Sequence, residues 1–336
     1  FPTRRSSDLR LCEGKMKGTQ HVEVSNRNAK FRFDLHRNIT IVRGDSGTGK
    51  TTLYNMIADY TRLQAESGVN LSSTKPCVAL MDMDWKNQLD GISNSVVFID
   101  EGATYISSEK FAEAIKNSDN YYVIFNREGL HQLPYSVEEI YQIKTSGKYH
   151  SFEQIYKPEK LHRYTKFPKS KRKDFQVLLT EDSHSGYQFF CAYFEGTSVH
   201  CATAGSNSAI FKWLNNNPTG KVLIIADGAA FGSEMDRVLK LCKTHPETFQ
   251  LCLPESFEWL ILKSGIIHAE HLADIMKNPG DFIESQKFFS WENFFEDFLV
   301  QETRRTPFQY AKSNLNDVYK QKANQKRIAA EIMDVD

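Results

Sequence analysis

The chain has 336 residues, 40% hydrophobic and 25% charged, a composition that suits a globular protein with material for two cores rather than one. Its 42 Lys and Arg balance its 42 Asp and Glu, which argues against a dedicated nucleic-acid coat or a polybasic membrane binder but leaves room for a local basic patch. No apolar stretch is long enough to cross a bilayer. The six cysteines, Cys12, Cys77, Cys191, Cys201, Cys242 and Cys252, have no Cys-x-x-Cys spacing, so free thiols in a reducing cytoplasm are expected rather than zinc or redox motifs.

The opening Phe1-Pro2-Thr3-Arg4-Arg5-Ser6-Ser7-Asp8-Leu9 resembles a translated sequencing adapter, and residues 1–10 are set aside from fold reasoning. His21 to Arg43 reads as strands: Phe31, Phe33 and Leu35 alternate with polar residues, and Asn38 to Arg43 is β-branched and ends at Gly44. Lys50 to Leu63 has Leu53, Met56, Ile57 and Tyr60 at helical spacing. Ser67 to Lys75 reads as a polar loop and Pro76 to Leu80 as a short apolar run. Ser95 to Asp100 is an apolar strand ending in acid, Glu109 to Lys116 a helix, and Tyr121 to Phe125 a further apolar strand followed by Asn126 and Arg127. Strands apolar throughout, alternating with helices, predict a parallel sheet covered on both faces.

Residues 149–174 hold Lys157, Lys160, Arg163, Lys166, Lys169, Lys171, Arg172 and Lys173 with two prolines, and read as a basic linker. Interleaved His162, Tyr164 and Phe167 keep a nucleic-acid contact open as a second reading. From 175 the alternation restarts: strands at Phe175–Thr180, Lys221–Ala226 and Phe249–Leu253, helices at Tyr187–Phe194, Ala209–Leu214, Glu234–Cys242 and Ser256–Lys263. Phe288, Phe289, Trp291, Phe294, Phe295 and Phe298 recur at helical spacing and predict core packing, and the chain after Ala311 reads as a polar helical tail. The expected organisation is α/β throughout: a first unit over 11–148, the linker, a second α/β unit over 175–300 and a tail over 301–336.

One motif carries definite chemistry. Gly44-Asp45-Ser46-Gly47-Thr48-Gly49-Lys50-Thr51, followed by Thr52, lies between a β-branched strand and a helix. Glycines in that pattern let consecutive backbone N–H groups face phosphate oxygens at a helix N-terminus, Lys50 is placed for the β- and γ-phosphates, and the Thr51 hydroxyl for magnesium. Asp100 and Glu101 follow an apolar strand; Asp100 is the second candidate magnesium ligand and Glu101 the candidate general base that polarises water. Asn126, at the end of the next apolar strand, is a candidate γ-phosphate sensor, and Arg127 either stabilises charge or solvates a loop.

These motifs resemble those of P-loop ATPases with an Asp-Glu Walker B, over roughly Phe31 to Tyr141. The resemblance implies a P-loop parallel sheet, ATP and Mg2+ as ligands, and hydrolysis. The nearest string to a guanine-reading Asn-Lys-x-Asp is Asn126-Arg127-Glu128-Gly129, which lacks the final Asp, so ATP is expected rather than GTP. No Leu-Ser-Gly-Gly-Gln signature precedes Ser95, which separates the chain from ABC-type ATPases. The whole chain also resembles bacterial P-loop proteins that circulate under a translation initiation factor label, a label the residues here do not support.

In the second half, Glu181 follows one strand, Ala204-Gly205-Ser206-Asn207-Ser208 precedes a helix, and Asp227-Gly228-Ala229 follows a later strand. This order is similar to the Toprim domain of topoisomerases, primases and the overcoming-lysogenization-defect nucleases, which also join an ATPase to such a unit. The resemblance implies Glu181 as general acid or base and Asp227 as a metal ligand beside a phosphodiester. Ala229 stands where a second Asp is required, with Glu234 and Glu258 as possible substitutes, so intact nuclease activity is not expected. Two functions follow as expectations: an ATPase coupled to a Toprim-like module acting on nucleic acid, or an ATP-driven switch whose second unit binds an unidentified protein. Neither partner nor oligomeric state is legible.

Overall fold

The structure, a computed structural model, describes residues 19–81, 83–157, 175–216, 220–283 and 287–332. Residues 1–18 and 158–174 lie outside these, so the adapter-like segment and most of the basic stretch are not placed.

The first unit is a nine-stranded mixed sheet among the described residues. Its strands are β1 (Gln20–Ser25), β2 (Lys30–Leu35), β3 (Ile39–Arg43), β4 (Asn70–Ser73), β5 (Cys77–Leu80), β6 (Val96–Ile99), β7 (Tyr121–Phe125), β8 (Ile140–Ser146) and β9 (Tyr149–Gln154), in the order β4-β1-β2-β9-β8-β3-β7-β6-β5. The run β8-β3-β7-β6-β5 is parallel, as the apolar strands predict. Alternating side chains of these strands enter two separate cores. Val42, Val96, Phe98, Tyr121, Val123 and Phe125 meet Leu53, Met56 and Ile57 of helix α1 (Lys50–Leu63). Ile39, Ile41, Val97, Ile99, Tyr122 and Ile124 meet Leu89 of α2 (Trp85–Asp90) and Phe111 and Ile115 of α3 (Glu109–Lys116) on the other face.

Three local expectations are corrected here. The stretch 67–75 contains an edge strand, β4, antiparallel to β1; its Asn and Ser have poor strand propensity, and backbone pairing with a neighbour decides the matter. Residues 149–154 are not linker but β9, paired antiparallel to β8 across the two-residue turn Gly147-Lys148, where Gly147 takes φ 60°. The sheet is therefore mixed rather than parallel, because β1, β2, β4 and the β8–β9 hairpin extend one side.

The second unit is a four-stranded parallel sheet, β10 (Val177–Thr180), β11 (His200–Thr203), β12 (Val222–Ile225) and β13 (Phe249–Cys252), ordered β11-β10-β12-β13. Helices α4 (Ser185–Tyr193), α5 (Asn207–Asn216), α6 (Met235–Thr244), α7 (Phe257–Lys263), α8 (Leu272–Lys277), α9 (Trp291–Thr303) and α10 (Lys322–Ala329) surround it. The aromatic run does form core: Phe288, Phe294, Phe295 and Phe298 pack with Phe189, Phe257 and Leu260. The expected continuous helix after Ala311 is instead irregular chain, a 3-10 turn at Asp317–Lys320 and the short α10. Leu315, Tyr319 and Ile328 from this stretch are buried in the same core as α7 and α9, so packing rather than local periodicity shapes it.

The two units meet closely. Arg37, 7% exposed, pairs with Glu255 and with Glu138 at 3.1 Å, its guanidinium lying 3.6 Å over the Trp291 ring. Arg43 pairs with Asp236 of α6 and donates to the Tyr135 hydroxyl at 3.2 Å. The backbone of Val137 donates to the carbonyl of Gly228 at 3.1 Å, and that of Gly232 to the carbonyl of Tyr135 at 2.9 Å.

Candidate nucleotide site and a second carboxylate cavity

The glycine-rich loop leaves β3 at Arg43 and enters α1 at Lys50. Gly44, Gly47 and Gly49 all take positive φ, at 144°, 84° and 99°, conformations that L side chains rarely adopt. Gly49 is the left-handed residue immediately before α1. These three torsions turn the chain sharply from strand to helix and leave the α1 N-terminus facing the loop's concave side. N–H groups at such a terminus lack intrahelical partners and carry partial positive charge.

Lys50 is 4% exposed, and its ammonium folds back onto the loop, donating to the carbonyls of Gly44 and Asp45, the latter at 3.0 Å. It also lies 3.4 Å from Glu101. Glu101 pairs on its other oxygen with Arg127, whose guanidinium donates to the Ser46 hydroxyl at 3.1 Å. Lys50, Glu101, Arg127 and Ser46 thus form one connected polar set around the loop mouth, supplied by α1, the end of β6, the end of β7 and the loop. Asp100 sits at the end of β6 beside Glu101, and Thr51 and Thr52 are exposed on the first turn of α1. Asn126 turns aside: its amide donates to the carbonyl of Glu128 at 2.8 Å and braces the following loop.

The residues fit a magnesium–triphosphate. A buried ammonium that donates to loop carbonyls, a hydroxyl on the first helical turn and a carboxylate just past β6 are the group types such a ligand requires. No group of three His, Cys, Asp or Glu is set to hold a metal among the described residues. Magnesium needs none when a hydroxyl, one carboxylate, waters and phosphate oxygens complete its shell.

The second candidate set lies beyond the carboxyl ends of the paired strands β10 and β12, where the chain leaving β10 runs to β11 on one side and the chain leaving β12 runs to β13 on the other, the usual ligand crevice of an open α/β sheet. Glu181 follows β10 and Asp227 follows β12; the Asp227 N–H donates to Glu181 at 3.3 Å. Ser256 caps α7 by accepting from the Trp259 N–H at 3.2 Å, which sets Glu258 in the first turn. Glu181, Asp227, Glu258 and Lys312 line one small cavity of about 30 Å3 with Phe190 and Phe257. Glu258 is 1% exposed; one of its oxygens accepts from Tyr310, and the other has no hydrogen-bond partner.

Burial raises the Glu181 carboxyl to about 8, with Glu292 pushing the same way. Asp227 is raised well above the usual range by burial and then by Glu181, and Glu258 by burial against the opposing charge of Lys312. The sequence candidates Glu181 and Asp227 are thus brought together, with Glu258 as the third carboxylate. Glu234 is not part of this set: it is 1% exposed and held by His131 at 2.7 Å and by Arg237. The carboxylates do not converge as a metal-ligand group, and a lysine stands among them, so this set does not fit a resident cation. Lys312, Tyr310 and Glu292 were beyond sequence reasoning, since all three lie far along the chain from Glu181 and carry no local motif.

No family model matches the chain, and no curated protein or solved structure matches it. Among the described residues, no helix is long and apolar enough to cross a membrane.

Proposed function

We propose that the chain binds ATP with magnesium at Gly44–Thr52 and hydrolyses it. The observation that carries this reading is the buried Lys50 ammonium folded onto the carbonyls of a loop bent by three positive-φ glycines, with Glu101 alongside. The strand order supports it: β3, which leads into the loop, and β6, which leads to Asp100 and Glu101, lie in one parallel sheet with only β7 between them. On binding, Lys50 exchanges loop carbonyls and Glu101 for phosphate oxygens. Glu101, relieved of that partner, is the base that takes a proton from the attacking water, and Arg127 at the loop mouth faces the γ-phosphate. Thr51 and Asp100 would hold magnesium, which would supply neutralisation of the phosphate charge.

A second reading, an ATP-driven switch, draws on a specific contact. Arg43 immediately precedes Gly44 and pairs with Asp236 of the second unit, so a rearrangement of the loop pulls directly on α6. The second unit then acts as a Toprim-like or partner-binding module, and binding of nucleic acid or of a protein belongs to that reading.

The test is calorimetry with Mg-ATP on the wild type and Lys50→Ala, alongside phosphate release from the wild type and Glu101→Gln. Losing charge-assisted hydrogen bonds worth about 1.5–3 kcal/mol each weakens binding by roughly 10- to 100-fold per bond. Glu101→Gln is expected to retain ATP and lose turnover. Equal ATP uptake by wild type and Lys50→Ala refutes the assignment of the site.

A further inference from the structure

We propose that the ammonium of Lys312 takes the place of a divalent metal ion in the carboxylate cavity of the second unit, so that the cavity is a latent cation site closed by the chain itself. The proposal rests on geometry independent of the nucleotide site.

Two strand ends and one helix start deliver Glu181, Asp227 and Glu258 to a single crevice. Ser290 caps α9 by accepting from the Asn293 N–H, which places Glu292 in the first turn and Glu296 one turn on, along the same helix face. Glu181, Asp227 and Glu258 line the cavity, and Glu292 and Glu296 flank the lysine that shares it, so ionising several of these carboxyls together calls for a compensating cation. Metal-dependent sites meet this demand with a cation. Here Lys312 supplies that cation: its ammonium lies 2.7 Å from Glu292 and 3.4 Å from Glu296, and the residue lines the same cavity as Glu181, Asp227 and Glu258.

The strap that carries Lys312 is fastened beside the cavity. The Ser185 N–H donates to the Lys312 carbonyl at 2.9 Å, Gln188 donates to the Ser313 carbonyl at 2.9 Å, and the Leu315 N–H donates back to Gln188 at 2.9 Å. Tyr310 donates to Glu258 and accepts from the Ser185 hydroxyl at 2.6 Å. The free Glu258 oxygen, buried in the cavity wall, is the unused half of a ligand set. An ammonium is a compact charge with three donors and cannot draw carboxylates into the tight oxygen shell that a divalent ion demands. That difference explains why the carboxylates share a cavity without forming a metal-ligand group.

The experiment is Mn2+ titration without nucleotide, followed by loss of the free-ion electron paramagnetic resonance signal. Wild type, Asp227→Asn, Lys312→Ala, Lys312→Met and the double variant Lys312→Ala/Asp227→Asn are compared, with near-ultraviolet circular dichroism reporting the fold. Wild type is expected to show no Asp227-dependent Mn2+ site. Either folded single variant is expected to gain one site, at least tenfold tighter than any uptake by wild type, and the double variant to lose it. An Mn2+ site in wild type that Asp227→Asn removes overturns the proposal, and that arm decides even where a lysine variant fails to fold. Folded Lys312 variants that gain no site overturn it equally.

Discussion

Glu139 offers a quantitative test of how a carboxyl is accommodated in the interior of the first unit. It ends the 3-10 turn Val137–Glu139, is 2% exposed, and accepts hydrogen bonds from the Thr40 hydroxyl at 3.0 Å and the Tyr141 hydroxyl at 3.4 Å. Burial raises its carboxyl from 4.5 to about 8, against the opposing pull of Arg37. The folded protein therefore holds this proton over an interval in which the unfolded chain has released it, and stability falls as pH rises from about 4.5 through about 8. At about 1.4 kcal/mol per pH unit, the loss above pH 8 has a ceiling of about 5 kcal/mol. Glu139→Gln removes the titration and keeps a hydrogen-bonding side chain of the same size. The variant is expected to match wild type near pH 5 and to be the more stable by several kcal/mol at pH 9. Urea unfolding followed by circular dichroism across pH 5–9 measures the gap, with unchanged denaturant slopes confirming comparable unfolding. A gap that stays constant across this range, or a variant less stable throughout, refutes the reasoning.

Two further substitutions probe the contacts between the two units, and a third, in the glycine-rich loop, is their comparison. Arg37→Ala strands Glu255 and removes the Trp291 contact, and breaking a buried pair by removing one partner costs about 3–5 kcal/mol; a urea-derived loss under 1 kcal/mol counts against a structural role. Gly232→Ala places a methyl 2.3 Å from the Tyr135 ring and 2.6 Å from its carbonyl, so it is expected to lower stability by about 1–3 kcal/mol, whereas Gly47→Ala has open space and bears only the left-handed backbone cost of about 1–2 kcal/mol. Thermal unfolding that ranks Gly47→Ala well below Gly232→Ala in stability contradicts this.

The elements were legible where local chemistry determines them. Glycines at 44, 47 and 49 need the backbone freedom they are given, α1 follows the spacing of Leu53, Met56 and Ile57, and the apolar strands β3, β6 and β7 pair in parallel. Adjacent strand ends likewise carried Glu181 and Asp227 to one crevice, because the acids follow their strands within one and two residues of paired ends.

Long-range packing decided the rest. β4 and β9 form because neighbouring strands offer unpaired backbone groups, not because Asn70–Ser73 or Tyr149–Gln154 favour extension strongly. The partners of Glu101, the orientation of Asn126 and the arrival of Lys312 among carboxylates depend on segments distant in the chain. A sequence fixes which groups carry charge and how each short segment bends. It takes the closed fold to bring an ammonium from position 312 to acids at 181, 227 and 258, since burial raises the cost of every uncompensated charge and only three-dimensional proximity supplies the compensation.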